Sequence, residues 1–162
     1  MDRFLIDQYE TGGDLLKKAI AGLSKQDLLW APPADAGIGL WSIQQIVLHL
    51  MDADLIWAFR MKSIIVEDNP VILGFDENKF TNNLCYAAQD VENAVLILDL
   101  NRKQFTKVLH KLADSTFSRT ARHSERGVIT LEKSLQLAVD HVNHHLKFIP
   151  KKREKLGKPL KN

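Results

Sequence analysis

"WSIQQIVLHLMDADLIWAFRMKSIIV", residues 41–66, decides the fold. It is apolar nearly all round at helical spacing, and a helix of that kind is a buried one. Its start is written locally. Ser42 can accept from the amide of Gln45, and the Gln45 side chain can reach back to Ser42, which is a capping box. The helix is expected to run to about Val66.

A buried helix needs neighbours on several sides, and the rest of the chain offers three. Residues 2–23 carry Leu5, Tyr9, Leu15, Leu16, Ala19, Ile20 and Leu23 at helical spacing, with Gly12 and Gly13 weakening the middle. "APPADAG" (31–37) breaks the chain. Residues 67–83 read as a connection, followed by a third helix over 86–112. After the loop "DSTFSRTARHSERGVI", Thr130 caps a fourth helix to about Ile149, and Pro150 ends or kinks it. No alternating strand stands out. The expectation is an all-α four-helix bundle with long crossover connections, spanning 1–150. A flexible basic tail is expected over 151–162.

Composition narrows the function classes. The chain has 162 residues, 45% hydrophobic and 26% charged, enough for one domain with a real core. Its single cysteine, Cys85, excludes an internal disulfide and a Cys-rich zinc module, and fits a reducing, cytoplasmic setting. No signal peptide and no bilayer-spanning run is visible. Net charge is +2. From Lys147 onward seven Lys/Arg stand against one acid. A basic tail of this kind could touch nucleic acid or an anionic membrane, or could simply be solvated. No helix-turn-helix turn or aromatic-interleaved basic stripe supports nucleic acid, so neither nucleic acid nor membrane is expected as a partner.

Three of the six histidines fall in "DHVNHH", residues 140–145. At about 100° per residue, His145 lies within the apolar arc of Leu131, Leu135, Ala138, Val142 and Ile149. His141 flanks it one turn earlier, and His144 points toward the edge. An i,i+4 histidine pair can ligate one metal ion, as in H-E-x-x-H metalloproteases, although the Glu of that motif is absent here. The third ligand would be His49, two turns into the buried second helix. The bland alternative is a set of packed core histidines. Three neutral imidazoles would leave coordination positions open, which marks catalytic sites. His123 could line the mouth of such a site or be a solvated loop residue. Asp52, one turn beyond His49, could serve as a base or simply pair with Arg60 or a lysine. Asp54 falls on the apolar side of its helix and needs a partner, such as Arg119.

Four blocks in order carry a resemblance: "AGLSKQDLLWAPPADAGIGLWSIQQIVLHLMDAD", "GFDENKF", "LNRKQFTKVLHKL" and "SRTARHSERGVITLEKSLQLAVDHVNHHLKFI". Together they resemble the DinB/YfiT-like superfamily over almost the whole chain. The resemblance implies a four-helix bundle, often dimeric, so a homodimer is expected. It also implies a metal held by His49, His141 and His145. Departures are Asp54 where Glu is usual, Ser124 where Pro is usual and Lys147 where Gln often follows the last ligand.

The expected function is that of a divalent-metal-dependent enzyme acting on a small molecule. Zinc suits imidazole, with nickel, iron or manganese as alternatives. The chemistry would be hydrolysis or transfer using a low-molecular-weight thiol, whose anionic arms Arg119, Arg122 and Arg126 could hold beside His123. The alternative is a non-catalytic, metal-binding stress-response bundle.

Overall fold

The computed structural model describes residues 2–160. Four long helical units form the bundle. The first is a pair, α1 (Phe4–Glu10) and α2 (Gly12–Ile20), hinged at Thr11. A short helix α3 (Lys25–Leu29) follows, started by a Ser24–Asp27 capping box that the sequence reading overlooked. The central helix α4 (Ile43–Val66) is the most buried element. Its capping box is present in both directions: Gln45 N–H donates to Ser42 Oγ at 3.1 Å, and Ser42 N–H to Gln45 Oε1 at 2.8 Å. Past the short α5 (Glu77–Asn83) come α6 (Val91–Leu109) and α7 (Leu131–Leu146), the latter capped by Thr130 as expected.

α4 packs against α6 and α7, and so do α1 and α2. The first and second long helical units therefore sit diagonally across the bundle, which is why the connections are long. The four-helix expectation holds. A small sheet adds to it: β1 (Val71–Ile72) runs parallel to β2 (Thr120–His123), which pairs antiparallel with β3 (Gly127–Thr130). Strands of two to four residues are too short to show an alternating pattern, so none was legible. Ile72, Ala121 and Ile129 bury one face of the sheet in the core.

The apolar interior consists of two clusters. One gathers Leu5, Tyr9, Trp57, Phe105 and Leu135; the other gathers Leu16, Val47, Leu98 and Val142. Between them lie Gly12, Asp54 and Arg102, with Ala138 at the edge of the first cluster. Arg102 is 2% exposed and spans the layer. Its Nε donates to Asp54 Oδ1 at 2.7 Å, Nη1 to Tyr9 O at 2.9 Å and Nη2 to Ala138 O at 3.1 Å. Asn101 completes the shell of Asp54 at 2.8 Å. The partner of Asp54 is thus Arg102 and not Arg119. The two glycines that weaken the first helix on propensity grounds have a packing reason. A Cβ on Gly12 would overlap the Arg102 guanidinium, and one on Gly13 would overlap Asp99.

The C-terminal expectation needs correction. The helix breaks at Lys147, before Pro150, and resumes as α8 (Phe148–Lys155). Pro150 sits in the first turn of α8, where its missing N–H removes no helical bond. Lys152, 1% exposed, donates to the carbonyls of Ile38 and Gly39 at 2.8 and 2.9 Å. Arg153 donates to Ala19 O and Ala21 O at the end of α2, where a cation meets unpaired carbonyls and the negative dipole end. Buried basic side chains, not a frayed tail, follow residue 150. Residues 161 and 162 lie outside the described residues.

Removing one partner of a buried ion pair strands the other charge. Arg102→Met should therefore cost about 3–5 kcal/mol of unfolding free energy. The double variant Arg102→Met/Asp54→Leu should cost less than the single one. Urea denaturation of both checks this, and equal losses would argue against a paired charge at the core.

Candidate metal centre

α4 and α7 meet just beyond the Arg102 layer, and three histidines converge there. His49 comes from α4 and is 0% exposed; His141 and His145 come from successive turns of α7 and are half-buried. One ring nitrogen from each lies within 4.8 Å of the others. The ring centroids are 4.9, 4.8 and 4.7 Å apart. His144 is exposed and points out of the cluster, against Phe148. Trp41 stacks on His145, with interplanar angle 6°, and tilts over His49, while Phe75 covers the other side of His49.

The His49–His141 pair fits a metal ion on geometry, and His145 stands close enough to join it. His49 Nε2 and His141 Nε2 are 3.0 Å apart. Two imidazole nitrogens bound to one ion at about 2.0–2.1 Å span roughly 2.9 Å at a right angle and 3.4 Å at a tetrahedral one. Two neutral ring nitrogens facing each other so closely need a proton or a cation between them. His49 Nδ1 is buried with no hydrogen-bond partner, so this imidazole is poorly compensated by the protein alone. Burial is the main cause of a downward shift at all three. His49 and His141 are pushed down to about 3 and His145 to about 4, with the neighbouring imidazoles adding to the effect. They are neutral at pH 7, the form that ligates metal.

The carboxylate facing the cluster is Glu77, from the first turn of α5. Its Oε2 lies 3.8 Å from His49 Nε2, and its side chain is 54% exposed. Sequence reading passed over it within "GFDENKF". Asp52 lies elsewhere: it accepts from the Tyr86 hydroxyl at 2.5 Å. Among the described residues no Asp52 oxygen comes within 4.0 Å of a histidine nitrogen, and its anticipated partner Arg60 is not bound to it.

Two cavities flank the histidines. One, about 290 Å3, has Trp41, Ile46, His145 and Phe148 in its wall. The other, about 240 Å3, is lined by His141, His123, Arg60 and Arg126. Glu77 lines both. His123 is thus buried beside the site, not solvated. Its Nδ1 accepts from Glu125 N–H at 3.1 Å. Burial, then Arg60 and Arg126, hold its pKa low, so the neutral ring presents Nε2–H. Of the three arginines expected with it, Arg126 lines the cavity and the other two do not. Arg119 donates to Ile64 O, Glu67 O and Asp68 at the end of α4. Arg122 points to solvent from the outer face of β2. Arg60, read as a structural partner, takes their place.

The family model described as the DinB superfamily matches residues 8–149. A Bacillus subtilis protein, "Putative metal-dependent hydrolase YfiT", is 29% identical over 143 residues, covering 88% of this chain and 78% of its own. An Oceanobacillus iheyensis protein, "Putative metal-dependent hydrolase OB0782", is 28% identical over 144 residues, 89% of this chain and 81% of its own. The solved structure of YfiT, reported with an unusual four-helix bundle topology, matches with a TM-score of 0.85 at 26% identity, over 95% of this chain and 86% of its own.

The low imidazole pKa values predict a pH dependence for metal-free protein. In the unfolded chain these groups titrate near 6.5; folded, they bind protons only near 3–4. The unfolded state binds more protons between those values, so stability is full above pH 6.5 and declines as pH falls toward 4. Denaturation in the presence of chelator should give a lower midpoint at pH 5 than at pH 7. Equal midpoints would mean the histidines are not buried neutral.

Proposed function

The chain belongs to the DinB superfamily, and from that membership we propose that it is a divalent-metal-dependent hydrolase acting on a small molecule. The observation that carries this reading is the convergence of His49, His141 and His145 on one point between two cavities. The names of its relatives support it. His49, His141 and His145 would hold the ion, with zinc the best match to imidazole and nickel, iron or manganese as alternatives. A bound ion of this kind acidifies water and polarises a carbonyl.

The remaining work belongs to the protein. Trp41 and Phe75 shield His49 from bulk water. Glu77 Oε2 receives the proton of the attacking water, being the carboxylate oxygen that stands at the cluster and opens to both cavities. In this reading Glu77 takes the base role considered for Asp52, and Asp52 orients Tyr86. The protein works without nucleic acid or membrane, as a homodimer. No helix among the described residues is long and apolar enough to cross a membrane. Thiol-dependent transfer is the competing chemistry for the same site; a low-molecular-weight thiol that changes neither turnover nor thermal stability would eliminate it.

Elemental analysis tests the centre directly. Purified, untagged protein should carry about one equivalent of divalent metal, and His141→Ala should carry none while remaining folded. Absence of metal in the wild type after reconstitution would sink the proposal and leave a bundle with packed histidines. Where a panel of esters and amides yields metal-dependent turnover, Glu77→Gln should lower kcat by about 100-fold or more with metal content unchanged.

A further inference from the structure

The cavity on the His141 side has a chemistry of its own. Arg60 is 5% exposed, yet among the described residues no carboxylate oxygen comes within 4.0 Å of its guanidinium, and the same holds for Arg126. A guanidinium buried without a carboxylate is costly unless something compensates it. What the protein supplies is limited. Nη2 donates to Leu73 O, the only hydrogen bond of this side chain among the described residues, and the planar group lies over the rings of Trp57 and Phe75 at 5.3 and 5.8 Å. Nε and Nη1 are not among the buried unpartnered atoms, so they reach open space, and the space beside Arg60 is this cavity. Glu125 attracts Arg60 from a distance, but its carboxylate is laid against Gly74, where a Cβ would collide with it. The neutral His123 adds a ring N–H to the same wall.

Three donor groups therefore face one cavity, a stacked, buried guanidinium fork, an exposed guanidinium and an imidazole N–H, and they share its lining with the carboxylates of Glu77 and Glu125. A fork of this kind matches the two oxygens of a carboxylate or phosphate. The volume, about 240 Å3, equals roughly eight water molecules at about 30 Å3 each, so the group it admits is small. His141 lines the same cavity, which places the anion beside the histidine cluster.

We propose that the substrate is a small molecule bearing an oxyanion, which Arg60 and Arg126 bind in this cavity while its reacting group lies at the histidines. The assignment of the reacting end rests on the metal-centre reading above; the anion site does not. The apolar cavity on the His145 side would take the rest of the molecule. Arg60 fixes orientation by its fork, Arg126 adds attraction at the mouth, and Glu77 keeps a second carboxylate from approaching His49.

Calorimetric titration of metal-free and metal-loaded protein with acetate and, separately, inorganic phosphate tests the site. Wild type should bind at least one of the two in both forms, and the preferred probe tells a carboxylate from a phosphate. Arg60→Met should weaken binding tenfold or more, with Arg60→Lys, which keeps the charge but loses the fork, in between. Arg126→Met, an exposed change that leaves the core intact, should weaken it severalfold and guards against misfolding of the Arg60 variants. No binding to wild type, or binding that ignores both arginines, overturns the proposal. Metal content measured on the same samples separates the two ideas. Arg60-dependent binding in a protein that takes up no metal would preserve the anion site and end the metal-centre reading. One equivalent of metal with arginine-independent binding would do the reverse.

Discussion

The buried contact between Arg102 and Asp54 is the constraint on which the bundle depends. One guanidinium, closed off from water, reaches α1 through Tyr9 O, α4 through Asp54 and α7 through Ala138 O, from its own position on α6. All four long units are thereby fixed in one register by directional bonds, where apolar packing alone would tolerate sliding. Burial pushes the Asp54 carboxyl up while Arg102 and Asn101 pull it down. The pair survives because its lone pairs and protons are nearly all satisfied, which is the condition for a buried ion pair to be tolerable. Gly12 belongs to this arrangement as much as the charges do, since any side chain there would displace the guanidinium.

The histidine cluster inherits its geometry from that layer. Ala138 O receives Arg102, and His141 and His145 follow on the next two turns of the same helix. On α4, His49 lies five residues before Asp54. Fixing α4 and α7 at the polar layer therefore sets the distance between His49 and His141 one turn away. A cluster drawn from two helices needs such a clamp, because a small error in register would separate nitrogens that now stand 3.0 Å apart.

Much of this was written in local sequence. The Ser42–Gln45 capping box and the Thr130 cap involve residues three apart, so those two helix starts could be read directly. His141 and His145 could be assigned to one face by counting turns, and His49 followed from its apolar surroundings. What depended on distant residues was not legible. Arg102 sits in "LNRKQ", where a surface charge is the ordinary reading. Its role appears only when Tyr9, Asp54 and Ala138 are brought around it. Arg119 was a reasonable partner for Asp54 by charge, but the fold sends it to the end of α4. Glu77 was hidden in a connection, and the strands that carry His123 pair across about fifty residues. Lys152 and Arg153 looked like tail charges because the carbonyls that receive them belong to the Pro-rich loop and the end of α2.

The asymmetry of the two cavities follows from the same division of labour. The helices supply the three clustered imidazoles and the apolar wall, as a bundle interior must. The connections supply the polar groups: Glu77 from α5, and His123 with Arg126 from the hairpin of β2 and β3. Arg60 joins the two, since it stands on α4 yet bonds to Leu73 O in the connection. A bundle alone would give a symmetric, apolar pocket around its histidines. The small sheet breaks that symmetry by holding donors on one side only, so one cavity is lined by charged groups and the other mainly by hydrocarbon.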